Sequence, residues 1–370
     1  MTGARPSQAL AAAPAVFAQK RRHGRLAPLI HIVSLYSLAI LLVALIALFS
    51  LLLPSTFPTQ FNFTSILGTE SVAVLVALAV MVPMAANHFN LSVGYQLGLA
   101  VILLVGLQVK SGFAWWEAAL VVGGMSTALG IANALLVTEI GIDSFIVTLG
   151  SGTILYGVSL WYTGGEQIAG ISFPESFTRI STTIGIVPLP AIIAFVVAVL
   201  LWLVFEYTTV GRFIYALGAN PRAALLVGIS KRRYVVLAFI VSALVTMLAS
   251  LILASQLQVG QPSIGPDYLL PAFAAAFFGA SSIKPGRVNV WGTVLAVLVL
   301  AVVVSGLEQE GFASYVEPLF NGTVLIVAVG IAVITTRRRE NRPSDPRAAL
   351  PAPRRDTVPD EEALSGTQSP

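Results

Sequence analysis

The chain has 370 residues, of which 10% are charged and 56% hydrophobic, and its formal net charge is +4. Soluble domains carry about 25% charged residues, so this composition excludes an ordinary water-soluble fold and makes the bilayer the solvent. Cysteine is absent, which excludes disulfides, thiolate metal sites and cysteine nucleophiles.

Residues 1–28 are rich in Ala, Pro, Ser and Arg without apolar periodicity and read as a solvated, disordered tail; residues 337–370, with acidic residues added, read the same way. Lys20, Arg21, Arg22 and Arg25 precede the run Leu29–Leu53, which is longer than a signal-peptide core and lacks a small-residue cleavage signal, so it is expected to stay as an anchor.

Crossing the hydrocarbon takes roughly 20 apolar residues per helix. Stretches free of Asp, Glu, Lys and Arg predict an all-α, polytopic domain over 29–336 with ten helices: 29–53, 70–86, 91–108, 116–137, 144–163, 187–205, 234–256, 268–283, 289–307 and 318–335. The second and third share one uncharged run, divided at Asn87-His88-Phe89-Asn90, and the eighth is the shortest. With both termini cytoplasmic, 19 of the 21 Lys and Arg residues fall inside, leaving only Lys110 and Arg179 outside; this asymmetry is the positive-inside rule.

Three connections are long enough to hold structure: 54–69 and 164–186 outside, and 206–233 inside. In the last, Gly218-Ala219-Asn220-Pro221 and Gly228 are turn signals that predict one or two short helices along the surface, where a partner would dock. A hint of duplication lies in Ser92-Val93-Gly94 and Val290-Trp291-Gly292, each opening a helix in its half of the chain.

The predicted spans contain essentially no ionisable group; Glu70, Glu117 and Asp267 fall at helix edges, and His23, His31 and His88 are too scattered for a metal cluster. This argues against catalysis, a resident metal or cofactor, and a proton-relay carrier, and no G-x-x-x-x-G-K-[ST] loop supplies a nucleotide site. Any motor for active transport is then another protein. The basic clusters abut apolar spans without interleaved aromatics, against a nucleic-acid partner.

Four segments carry chemistry that composition does not explain. Asn87, His88, Asn90, Ser92 and Gly94 put polar backbone near membrane depth, as a pathway lining or a simple turn. In Ile142-Asp-Ser-Phe-Ile-Val-Thr-Leu-Gly-Ser151, Thr148 and Ser151 can hydrogen-bond a solute or a neighbouring helix. The third is Gly211-Arg-Phe-Ile-Tyr-Ala-Leu-Gly-Ala-Asn-Pro-Arg-Ala-Ala-Leu-Leu-Val-Gly-Ile-Ser230, and the fourth, Phe277–Thr293, places Gly279, Gly286 and Gly292 at a break between helices.

Across about 70–335 these segments resemble the permease subunits of ribose/xylose/arabinose-type ABC sugar importers. They are similar to that family's G-G-I-D-L-S-V-G, I-P-P-F-I-V-T-L-G-T, G-R-x-I-Y-A-x-G-G-N-x-x-A-A-x-x-x-G-I and V-L-G-G-T-S-x-x-G-G-x-G-x-x-x-G-T. Asn90 stands at a usual Asp, Asn87-His88 at paired glycines, Arg222 at a commonly acidic position and Pro285 at a glycine.

The resemblance implies a coupling loop for an ATPase subunit, formed by Gly211, Arg212, Tyr215, Gly218, Asn220, Pro221, Ala223, Ala224 and Gly228; the rival reading is an amphipathic helix on lipid headgroups. It also implies an extracytoplasmic solute-binding protein, a second permease subunit in a homodimer, and a monosaccharide or similar small neutral solute as cargo. Nucleosides, branched-chain amino acids and, in a different class, an ion-coupled secondary carrier are the alternatives.

Overall fold

The computed structural model describes residues 36–170, 172–313 and 315–340. The tail expected over 1–28, the start of the first helix and residues 341–370 lie outside the described residues.

Among the described residues, twelve helices of six residues or more succeed one another: α1 Ser37–Leu52, α2 Gln60–Ala85, α3 Ser92–Ser111, α4 Trp115–Leu135, α5 Ser144–Thr163, α6 Leu189–Tyr207, α7 Thr209–Ala219, α8 Pro221–Leu226, α9 Lys231–Leu257, α10 Leu269–Gly279, α11 Val290–Gln309 and α12 Val316–Glu340. The remaining regular structure comprises single turns and two two-stranded ribbons, β1 Ile168–Ala169 with β4 Val259–Gly260, and β2 Thr183–Ile184 with β3 Val187–Pro188.

Seven helices among the described residues are long and apolar enough to cross a membrane: α2, α3, α4 with its π-helical extension Leu136–Ile140, α5, α6, α9 and α11. Glycines in the left-handed conformation, Gly112, Gly141 and Gly164, end α3, the α4 extension and α5, because they take the positive φ at no Cβ cost. The most apolar windows of α2 and α3 are 67% and 72% buried, whereas those of α4, α5 and α6 are 33%, 33% and 28% buried, so the former pair is central and the latter three are peripheral. The peripheral helices turn Leu120, Ile146, Ile154, Trp161, Phe195 and Leu200 outward. An apolar exterior of this kind suits lipid and not water.

Three expectations need correction. The second helix starts at Gln60, ten residues before the predicted 70, so most of the expected 54–69 connection is helical and Glu70 lies within the helix and not at its edge. Thr59 caps it by accepting from Asn62 N at 3.2 Å, and the Asn62 amide is satisfied by Phe57 O, Ser305 and Gln309. Next, the predicted 268–283 helix contracts to the 11 residues of α10. At 1.5 Å per residue that is roughly 16 Å, about half the hydrocarbon thickness. Residues 258–268 before it are largely non-helical and lie against α3, where Gly94 and Gly98 meet Gly265 backbone to backbone. Lastly, α12 continues to Glu340, into the stretch predicted to be tail.

Residues 86–91, 208–230 and 280–289 gather at one end of the bundle, here the proximal end: Tyr215 reaches Val288 O, and Arg212, Asn87 and Ser281 share one cavity. Residues 164–188 and 258–263 lie at the opposite, distal end, with β1 paired to β4.

Candidate functional site

The proximal end is built by local capping. Thr208 Oγ1 accepts from Gly211 N at 3.4 Å to start α7, Asn220 Oδ1 accepts from Ala223 N at 3.0 Å to start α8, and Ser230 Oγ accepts from Arg233 N at 3.4 Å to start α9. Pro221 opens α8, where its missing N–H is no loss, and Gly228, with φ of +83°, follows its end. The sequence expectation of short helices divided at Asn220-Pro221 is met by α7 and α8.

One face of α7, through Gly211, Ile214 and Leu217, is buried. A Cβ at Gly218 would overlap Ala85 O, so this glycine lets α7 abut the end of α2. Tyr215 donates to Val288 O at 2.9 Å, its ring lies 3.8 Å beneath the Arg287 guanidinium, and Lys284 pairs with Glu206. The 280–288 segment is thereby tied to α7 and the end of α6. Burial raises the Tyr215 phenol above its ordinary pKa, with Arg287 opposing.

In α8 the two alanines divide: Ala224 is buried and Ala223 faces outward. Beside Ala223, Leu226 and Val227 are 89% and 76% exposed and Leu225 is also exposed, an apolar knob on a polar loop that sequence reasoning did not single out. Its signal was three consecutive aliphatics between Ala224 and Gly228, outside any span.

Asn90, Ser92 and Thr148 are brought together and buried. Ser92 Oγ donates to Asn90 Oδ1 at 2.6 Å, Asn90 Nδ2 donates to Ser242 Oγ at 3.1 Å, and Asn133 Nδ2 donates to Ser92 Oγ at 3.1 Å. Leu91 N donates to Thr148 Oγ1 at 2.9 Å and Phe89 N to Ser144 Oγ at 3.0 Å. The turn before α3 is thus anchored to α4, α5 and α9 by polar groups that satisfy one another. Asn133, Ser144 and Ser242 were missed by sequence reasoning; as small polar residues in apolar helices they carried only a weak signal. Ser151 lies apart and back-bonds to Thr148 O at 3.2 Å.

Asn87, at φ +60°, and His88 line the proximal cavity instead. Burial and the nearby Lys231 lower the His88 pKa to about 4, against an opposing pull from Asp143, so the imidazole is neutral. In the fourth segment Gly279 and Gly292 cross backbone to backbone, and Gly286 turns at φ +86°. Asn289 caps α11, accepting from Gly292 N at 2.8 Å and donating to Ser282 O at 3.1 Å. No group of three or more His, Cys, Asp or Glu residues that could hold a metal occurs among the described residues.

An apolar-surfaced bundle with seven helices long enough to cross a bilayer is a multi-pass membrane protein. Residues 62–329 match the family described as branched-chain amino acid transport system / permease component, and the chain belongs to that family. It is 30% identical over 284 residues to the D-allose transport system permease protein AlsC of Escherichia coli, covering 76% of this chain and 86% of that one. Against the ribose import permease protein RbsC of Bacillus subtilis it is 32% identical over 281 residues, covering 76% and 87%. The galactose/methyl galactoside import permease protein MglC of Haemophilus influenzae is 29% identical over 296 residues, covering 75% and 87%. No solved structure matches the chain.

Proposed function

We propose that this chain is the membrane subunit of an ATP-driven importer for a monosaccharide or similar small neutral solute. It crosses the bilayer ten times with both termini cytoplasmic, pairs with a second permease subunit, engages a separate ATPase subunit at its proximal end and receives cargo from an extracytoplasmic binding protein. The observation that carries this reading is the outward face of α8: Ala223, Leu225, Leu226 and Val227 are exposed on a loop rich in Arg and Lys. Apolar side chains on a rigidly capped loop gain most by entering a protein groove. The sugar permease relatives support the solute class.

The polar residues near the turn have two roles in this reading. Asn87 and His88 face the proximal opening of the path, and Asn90, Ser92, Gly94, Thr148 and Ser151 form or brace its wall. The uncharged wall formed by Asn90, Ser92, Thr148 and Ser151 suits a solute that needs hydrogen-bond partners and no counter-ion.

The test is ATP hydrolysis by the chain reconstituted with its ATPase subunit and binding protein, comparing Ala223→Arg and Leu226→Asp with the parent across sugars and nucleosides. Stimulation by one loaded binding protein, lost in both variants, is the expected result. Solute uptake that persists in both variants and collapses with a proton ionophore would replace this reading with the secondary carrier.

A further inference from the structure

A cavity of about 770 Å³ opens between α7, the turn after α2 and the 277–288 segment. Its wall is chemically divided: Arg212, Arg287 and Asn87 give it a polar, cationic side, while Met84, Phe277 and Phe278 give it an apolar one. Among the described residues no carboxylate lines it, and neither arginine has an ion pair. Glu206, the carboxylate that acts on nearby Tyr215, is engaged by Lys284. Two guanidiniums from separate elements beside aromatic rings suit a peptide that alternates carboxylates with small apolar groups.

We propose that the occupant is this chain's own segment Asp356–Leu364. Its sequence, Asp-Thr-Val-Pro-Asp-Glu-Glu-Ala-Leu, carries four carboxylates, no cation, and Val358 and Leu364 as apolar anchors. The fold delivers it to the correct end. From Asn289 α11 runs to the distal end, so α12 returns proximally; Ala328 of α12 lies on the cavity wall, and the helix continues to Glu340. Those further residues carry the chain roughly 18 Å past Ala328 at 1.5 Å each. The 20 residues from 340 to 360 can reach at most about 66 Å, at roughly 3.3 Å per residue. The acidic segment therefore reaches back to the cavity without strain.

Seated there, it covers the side of α7 next to the exposed face of α8 and competes with any partner that approaches the proximal end. That consequence rests on the permease reading; the contact itself does not.

The absence of native cysteine makes the contact directly measurable. Ser281→Cys and Glu362→Cys are introduced together in the full chain in phosphatidylcholine vesicles, without any ATPase, and mild oxidation is followed by intact mass. An intramolecular disulfide is expected. Its yield should fall about tenfold in an Arg212→Glu, Arg287→Glu background, the scale of losing one charge-assisted contact. It should return when Asp356, Asp360 and Glu361 are changed to Lys in that background, which also shows that the reversed chain is folded. No disulfide, a yield indifferent to charge, or a disulfide only between two chains would overturn the proposal. So would abolition of the disulfide by a minor fraction of anionic lipid, which would make a lipid headgroup the occupant. Failure of the ATPase experiment alone leaves this result intact, and the reverse also holds.

Discussion

At Gly265 the single helical turn Ile264–Asp267 before α10 lies against α3 so closely that a Cβ would sit 2.5 Å from Gly98 N and 2.7 Å from Gly98 Cα. Both are backbone atoms of a central helix and cannot swing aside. Gly265→Ala is expected to destabilise the bundle by roughly 1–3 kcal/mol, the usual cost of overpacking, measured as a lower thermal midpoint in detergent. Gly124→Ala, where the added Cβ meets nothing within 4 Å, should leave the midpoint unchanged or raise it slightly through helix propensity. Equal effects at both positions would remove the packing argument.

His88 supplies a pH dependence whose sign follows from its burial. Its folded pKa is about 4 against 6.5 in the unfolded chain, so between those values the unfolded state binds the proton and the folded state does not. Stability therefore rises with pH across this window, and up to about 3 kcal/mol is lost as pH falls from 6.5 to 4. Comparing the thermal midpoint of the parent with that of His88→Gln isolates this contribution from other titrating groups. The parent should weaken more steeply on acidification; parallel curves would exclude the buried neutral imidazole.

Among the elements, α8 depends most on a single side chain. It has six residues and begins at the Asn220 cap. Loss of that cap in Asn220→Ala costs about 1 kcal/mol, a large fraction of what holds so short a helix. Amide exchange over 223–227 should speed up about fivefold while the core helices keep their protection, since α8 contributes little to the main core. The same locality explains what the sequence disclosed. Caps, turn glycines and Asn220-Pro221 act within a few residues, so α7 and α8 were legible in advance. The start of α2 had a local signal in the Thr59 cap, hidden because Glu70 interrupts the uncharged run, whereas the shortness of α10 had none, because its cause is distant: Gly265 packs against the backbone of Gly94 and Gly98. The suspected likeness of Ser92-Val93-Gly94 to Val290-Trp291-Gly292 gains a physical parallel. Gly94 and Gly292 each open a helix beside another segment's carbonyl, that of Gly265 and that of Gly279. Of the site, the turn at 87–94 was legible as polar backbone, but its partners Asn133 and Ser242 were not.

For the whole molecule, the arrangement of charges makes a prediction that the fold alone does not decide. Arg222 and Lys231, Arg232 and Arg233 flank the proximal loop, whereas the long distal connection 164–186 carries Arg179, paired with Glu175. Anionic lipid and the translocation machinery both hold basic loops in the cytoplasm, so the proximal end is expected to be cytoplasmic. Because α11 and α12 form an antiparallel pair, Glu340 then lies inside as well. Single cysteines at Ser230 and Thr183 report on this directly in a chain with none of its own. In intact cells, a membrane-impermeant maleimide should label Thr183→Cys and not Ser230→Cys, and permeabilisation should expose the latter. Labelling in the reverse order would invert the molecule, place α8 on the wrong side of the membrane for an ATPase, and refute the importer reading whatever the sequence likeness. Labelling of both positions in intact cells would instead require an even number of crossings between them, so that α6, the one helix of membrane length between Thr183 and Ser230, would not cross the bilayer. Its 19 residues, with a mean hydropathy of 2.6, match the hydrocarbon thickness and make that expensive.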